Sequence, residues 1–231
     1  MTYKIKILTL LISCNIFADY QITVLATNIS NYGGFGEWSF SALYESDKES
    51  ILFDTGFHED TVLHNAKILG KDLSKVNKVV LSHFHSDHTG GLIKLRKTYK
   101  NINKNAFSEV YVARGFFDQR FYKDGSKEGP GNFKDSSKFK QKAEEEGIKF
   151  IILDDHMMIS ENLYVTGTVE RTVEKYNGPM GFFLDEQLTI PDIIKDDQSV
   201  GMLTDKGWIM MSGCGHSCLL YTSDAADEAD G

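Results

Sequence analysis

Residues 82–91 read Ser82-His83-Phe84-His85-Ser86-Asp87-His88-Thr89-Gly90-Gly91, three imidazoles and a carboxylate at offsets 0, 2, 4 and 5 from His83. The apolar, β-branched run Val76 to Leu81 precedes them and reads as a strand. On extended backbone, alternate residues share a side, so His83 and His85 point together while Phe84 faces the opposite way and can be buried. Asp87 and His88 follow where the chain must turn, adding a harder oxygen ligand and a third imidazole within reach of a second ion. This convergence marks a metal site. Nucleophilic catalysis by Ser82 or Ser86 is the weaker reading, because neither sits in a recognisable elbow.

Working outward, two strands end in histidine-bearing loops. Ser199 to Leu203 and Trp208 to Met211 are expected to pair across the turn Thr204-Asp205-Lys206-Gly207, and the second runs into Ser212-Gly213-Cys214-Gly215-His216. Gly213 and Gly215 free that loop to bring His216 back towards the first cluster. Cys214 is expected as a buried neutral thiol, with a thiolate ligand as the lesser alternative.

Further strands are expected over Gln21 to Asn28, Ser39 to Tyr44, Ser50 to Phe53, Val110 to Ala113, Phe150 to Leu153 and Leu163 to Thr166. Helices are expected from Asp60 to Gly70 and from Gly91 through Leu92, Leu95 and Arg96. Alternating strands and helices imply layered α/β packing. Residues 114–141 are lysine-rich and aromatic without a clean period, and are read as a long excursion over the active face. Its Arg114, Arg120, Tyr122 and Lys123 are candidates for contacting an anionic or aromatic substrate, with a plain solvated loop as the alternative. Asp197 and Gln198 are candidates to close part of the pocket, or else ordinary turn residues.

The HxHxDH pattern at residues 83–88, with ILFDTG upstream and TGGL downstream, resembles the metallo-β-lactamase fold superfamily. The resemblance implies an α/β (α+β) four-layer αββα sandwich, with a first metal ion on His83, His85 and His216 and a second served by Asp87 and His88. It also implies two zinc ions, water activation with Asp87 orienting the water, and structural roles for Asp54 and Gly90. The narrower run from Asn65 to Leu92, the YVTGTVER segment, the Asp197-Gln198 pair and KGWIMMSGCGHS is similar to the subfamily containing the dihydropterin ribofuranosylaminobenzene phosphate synthase. The function implied is a metal-dependent hydrolase of an ester, phosphoester or lactam-like substrate. A pterin-pathway transferase and a noncatalytic metal-binding protein are the alternatives.

Bulk properties fit one domain and a small-molecule substrate. The 231 residues allow a single sizeable core, and the net charge of −8 argues against nucleic acid as a partner. Three cysteines are too few for a disulfide framework. Residues 1–18 read as a secretory signal, with Lys4 and Lys6 before a short apolar run, so the expected location is periplasmic or secreted, with the cytoplasm as the alternative. The Leu11-Ile12-Ser13-Cys14 stretch also resembles a lipobox, which would anchor the chain by lipid at Cys14; no transmembrane segment is expected in the mature chain. The oligomeric state is not set by the sequence. The domain is read as 19–217, with 23 basic and 29 acidic groups. Residues 218–231, beginning CLLYTSDAADE, look like translated sequencing adaptor. On that reading the domain is incomplete at its C-terminus, lacks later ligands, and is expected to be inactive and prone to aggregation.

Overall fold

A computed structural model describes residues 20–171, 176 and 181–217. The expected leader with Cys14, and the segment from Cys218 onward, lie outside the described residues.

In chain order the elements are β1 (Gln21–Ala26), β2 (Ser41–Glu45), β3 (Ser50–Phe53), α1 (Thr61–Ile68), β4 (Val76–Val80), the single turn α2 (Ser86–Thr89) and α3 (Leu92–Tyr99). Then come β5 (Glu109–Ala113), β6 (Arg120–Tyr122), β7 (Lys127–Glu128), α4 (Ser136–Glu145), β8 (Lys149–Leu153), β9 (Met157–Ser160), β10 (Leu163–Val165), β11 (Phe182–Phe183), β12 (Ser199–Thr204) and β13 (Gly207–Ser212). A six-stranded sheet runs β1-β2-β3-β4-β5-β8, and a four-stranded sheet runs β13-β12-β10-β9. The polar turn after Glu45 joins β2 and β3 as antiparallel neighbours. The pairs β3–β4, β4–β5 and β5–β8 are parallel, so each needs a crossover. Helices α1, α3 and α4 fall within those crossovers.

Period-two alternation divides the central strands between two cores. Leu52, Val79, Val110 and Val112 face Val62, Ala66, Leu92, Leu95, Phe139 and Ala143 of the helices. Their neighbours Ile51, Phe53, Val80 and Tyr111 face the second sheet through Leu163, Val165, Val200 and Met202. Each fully buried aliphatic side chain contributes about 1.5–3 kcal/mol relative to exposure. The result is the expected sandwich of two facing sheets with helices outside the first. Among the described residues no helix covers the outer face of the second sheet, where Met157, Met158 and Ile209 are exposed.

The excursion is more ordered than its sequence suggests. Strand β6 pairs with both β7 and β11 in a small third sheet, which carries Phe182 onto Tyr122. Helix α4 begins within the same stretch, its first turn capped by Asp135, whose carboxylate accepts from the backbone N–H groups of Ser137 and Lys138. It buries Ser136, Phe139 and Ala143 only, so a lysine- and glutamate-rich surface hides its narrow apolar stripe.

Candidate metal centre

The site forms where β3 and β4 end and where the loop after β13 returns. Asp54, directly after β3, takes a positive φ of 56° and sets its carboxylate beneath the histidines. It accepts from Ser82 N–H at 2.6 Å, from Ser82 Oγ at 2.8 Å and from His88 Nδ1 at 2.6 Å. A proton held on His88 Nδ1 by this carboxylate leaves Nε2 as the ligand atom. Nε2 lies 3.2 Å from Cys214 Sγ and 3.4 Å from an Asp87 oxygen.

Close approach of the loops requires glycine. A Cβ on Gly90 would stand 1.8 Å from the Phe57 carbonyl oxygen, and one on Gly213 would stand 2.4 Å from Ser82 Oγ. Any other residue at either place would push the loops apart.

His83 is fully buried, and its Nε2 lies 2.8 Å from His85 Nδ1. His216 stacks edgewise on both, with ring centroids 4.7 Å from His83 and 5.3 Å from His85. Two groups of donor atoms each lie within 4.8 Å of one another: His83, His85 and His216, and His83, His88 and Cys214. Burial, reinforced by neighbouring imidazoles, holds His83 well below the usual histidine range, His85 down at about 3 and His216 at about 4. All three are therefore neutral at pH 7, the state that ligates metal. Burial also works against charge on His88, but Asp54, Asp87 and Cys214 outweigh it and raise that imidazole well above its ordinary value. For Asp87, burial pushes up while His88 and His85 pull down, and the net shift is downward.

His85 Nε2 and His216 Nε2 are buried without a hydrogen-bond partner. Unsatisfied buried donors or acceptors are costly in a folded protein, and two neutral imidazole nitrogens left unpaired beside a third imidazole fit a divalent cation. The set of nitrogens with one sulfur suits a borderline-soft ion.

A cavity of about 460 Å³ opens over this cluster. His85, Asp87, Cys214 and His216 form its floor, and Trp38, Phe57, Tyr122 and Phe182 its walls, with Glu128 at one side. Asp87 lines the cavity but belongs to neither donor group. Cys214 is exposed here, contrary to the expected buried thiol.

The other sequence candidates fall in different places. Tyr122 lines the cavity, whereas Arg114 pairs with Asp154 on the surface and Lys123 is exposed in a turn, neither lining it. Arg120 is corrected from the pocket to the interior, 1% exposed, where Asp192, Asp196 and two carbonyls occupy its guanidinium. Asp197 lies buried behind His83, its Oδ1 3.7 Å from Nδ1 and its Oδ2 accepting from Ser217 N–H at 2.7 Å. Burial pushes its carboxyl up to about 7. Gln198 is buried and donates to the carbonyls of Leu81 and Tyr111, tying the two sheets together rather than closing the pocket. Sequence reasoning missed Trp38, Phe57, Glu128 and Phe182 as cavity residues; their loops and two-residue strands carry no periodic signal, and Phe182 is placed only by the pairing of β11 with β6.

Two facing sheets with a histidine cluster at the ends of their strands define a metal-binding α/β sandwich. The model of the metallo-beta-lactamase superfamily matches residues 39–227, and the chain belongs to that superfamily. The 7,8-dihydropterin-6-methyl-4-(beta-D-ribofuranosyl)-aminobenzene-5'-phosphate synthase of Methanocaldococcus jannaschii is 26% identical over 209 residues, covering 86% of this chain and 68% of the relative. An uncharacterised protein of the same organism is also 26% identical, over 87% of this chain and 71% of its own length. Among solved structures, Tm1679, described as a metal-dependent hydrolase of the β-lactamase superfamily, superposes with a TM-score of 0.66 at 25% identity, covering 91% of this chain and 72% of that one. No described helix is long and apolar enough to cross a membrane.

Proposed function

We propose that the chain is a metal-dependent hydrolase using zinc, acting on an ester, phosphoester or lactam-like small molecule. The observation that carries this is the trio His83, His85 and His216, neutral and convergent, with two buried Nε2 atoms left unpartnered. The similarity to Tm1679, a metal-dependent hydrolase of the β-lactamase superfamily, supports it. His83, His85 and His216 would hold one ion, and His88 with Cys214 and the nearby Asp87 would hold a second. A divalent ion bound there supplies Lewis acidity and a water activated for attack at neutral pH. The protein's own part is to fix the ligand atoms. Asp54 keeps the His88 proton on Nδ1, and Ser82 Oγ, 2.9 Å from His83 Nδ1, orients that ring.

A second reading, a phosphate synthase of transferase type, is favoured by the sequence relative, whose match to the named M. jannaschii enzyme runs through 86% of this chain. Export by a leader at residues 1–18 belongs to the same proposal, supported by Lys4 and Lys6 ahead of a short apolar run.

The test is metal analysis of the purified chain, followed by turnover of p-nitrophenyl acetate and bis-p-nitrophenyl phosphate with and without chelator. Chelator-sensitive release of p-nitrophenol that zinc restores supports the hydrolase. Retained metal without hydrolysis of either substrate moves the assignment to the synthase. A chain that retains no divalent metal at micromolar supply refutes both.

A further inference from the structure

The cations expected from the sequence to meet a substrate lie elsewhere. Arg114 pairs with Asp154 on the surface, Arg120 is in the interior and Lys123 is in an exposed turn. Among the described residues no lysine or arginine lines the cavity over the imidazoles, and the one carboxylic acid there besides Asp87 is Glu128 of β7. Glu128 is half-buried, and no described lysine or arginine nitrogen lies within ion-pair distance of it. Burial raises its carboxyl, while the Tyr122 hydroxyl, which donates to it, and the more distant Lys134 pull the other way. The walls around this acid are aromatic. Trp38 stands 78% exposed at the mouth, and Tyr122 and Phe182 meet with ring centroids 4.8 Å apart at 45°, forming an angled wall. Phe182 is held from behind by the buried Phe84, edge-on at 5.6 Å. Outside the candidate metal ligands, then, the cavity presents ring faces and one negative charge, and ring faces attract cations.

We infer that the cavity seats an organic cation, a methylated ammonium group carried by the substrate, with Trp38, Tyr122 and Phe182 against its methyl groups and the Glu128 carboxylate as its counter-charge. A primary ammonium is the poorer fit, because its three N–H groups each need an acceptor. Ser86, Tyr122 and Glu128 are the described side chains outside the ligand set that could provide one, and Glu128 already takes the Tyr122 hydroxyl. A methylated ammonium donates no hydrogen bond and is held by charge and by ring faces, so that occupied acceptor costs it nothing. The inference rests on the proposed hydrolase in taking this cavity as the substrate site, and it narrows the substrate to one bearing a positive charge beside the bond that is cut. The groups that hold the cation are not metal ligands.

Choline and 3,3-dimethylbutan-1-ol have the same shape and differ in a charged nitrogen against a neutral carbon. Titration calorimetry of both at pH 8, on the full chain as purified and with its metal content measured, isolates the charge. Choline is expected to bind at least about tenfold more tightly than the alcohol. Glu128→Gln keeps an acceptor for the Tyr122 hydroxyl and is expected to remove most of that preference. Trp38→Leu, at an exposed position, is expected to weaken choline by about threefold or more and the alcohol by less. Equal affinity of the two compounds for the unaltered chain, preference for the alcohol, or binding of neither overturns the inference. So does a choline preference that survives undiminished in Glu128→Gln, which would place the cation elsewhere on an acidic surface. Choline preference in a chain that neither hydrolyses the test esters nor retains metal would sink the proposed activity and leave this inference standing. Chelator-sensitive hydrolysis without choline preference would do the reverse.

Discussion

Replacing Arg120 with methionine tests whether the excursion is fastened to the metal-binding loop. The guanidinium donates to Asp192 at 3.0 Å, to Asp196 at 2.7 Å, and to the carbonyls of Phe116 and Asp118 at 3.0 and 2.8 Å. It also lies 3.9 Å over the ring of Phe84, the residue between His83 and His85. Asp196 in turn accepts the Phe84 N–H at 2.9 Å. Methionine preserves volume but leaves two carboxylates buried without their cation, at 2% and 0% exposure. Breaking a buried pair by removing one partner costs about 3–5 kcal/mol. The loss is expected to depend on pH. Burial already raises the Asp196 pKa, with Arg120 opposing, so removing Arg120 raises it further. A carboxyl whose folded pKa lies above its unfolded value destabilises the fold as pH climbs past the unfolded value, and the penalty grows until the folded pKa is reached. Urea unfolding followed by circular dichroism at pH 5 and pH 8 should therefore show a larger deficit at pH 8, partly recovered by adding Asp196→Asn. A deficit below about 1 kcal/mol at both pH values refutes the reasoning.

Other expectations follow from the site. His216→Ala should lower bound divalent metal and weaken its retention by tenfold or more, whereas Cys214→Ser should reduce a second equivalent and spare the first; metal analysis after dialysis reads both. Gly90→Ala, which drives a Cβ into the Phe57 carbonyl oxygen, should cost about 3 kcal/mol or more, and wild-type thermal stability in that variant would contradict the packing described. In chelated protein the depressed histidines take up protons on unfolding. Their contribution is complete above an unfolded pKa of about 6.5 and is lost as pH falls towards the folded values of about 4 for His216 and about 3 for His85. Each such proton steepens the fall by about 1.4 kcal/mol per pH unit, against the opposite trend from His88. Because His88 and Asp197 act in the opposite sense, the check is site-resolved: imidazole proton shifts in the chelated chain that put His85 or His216 half-protonated near the ordinary value of about 6.5 would show that these rings are not buried as neutral groups.

The central sheet and the cluster at its edge were legible because their signals are local. Val76 to Val80 is apolar and β-branched, and His83 and His85 alternate directly after it. Residues 50–53 were read to their ends because one face meets helices and the other meets the second sheet, leaving a continuous apolar run. What escaped is held by contacts distant in sequence. Arg120 looked like a surface cation among lysines, and only pairing across to Asp192 and Asp196 buries it. Cys214 looked like a core thiol because its neighbours are glycines and an apolar strand, yet the loop turns it outward to His88. Helix α4 hid behind its charge, and the cavity walls come from four separate segments with no shared pattern.

The two donor arms belong to different sheets: His83 and His85 follow β4 of the six-stranded sheet, while His216 follows β13 of the four-stranded one. Most of the chain lies between them, so the unfolded polypeptide offers no assembled site, and an ion captured there clasps the sheets against each other. Ion affinity and the seam between the sheets then become two readings of one free energy. Exchange of the β12–β13 amides with deuterium should slow on metal loading even though that hairpin carries only one arm of the clasp, and any mutation that loosens the seam should lower ion affinity without touching a ligand.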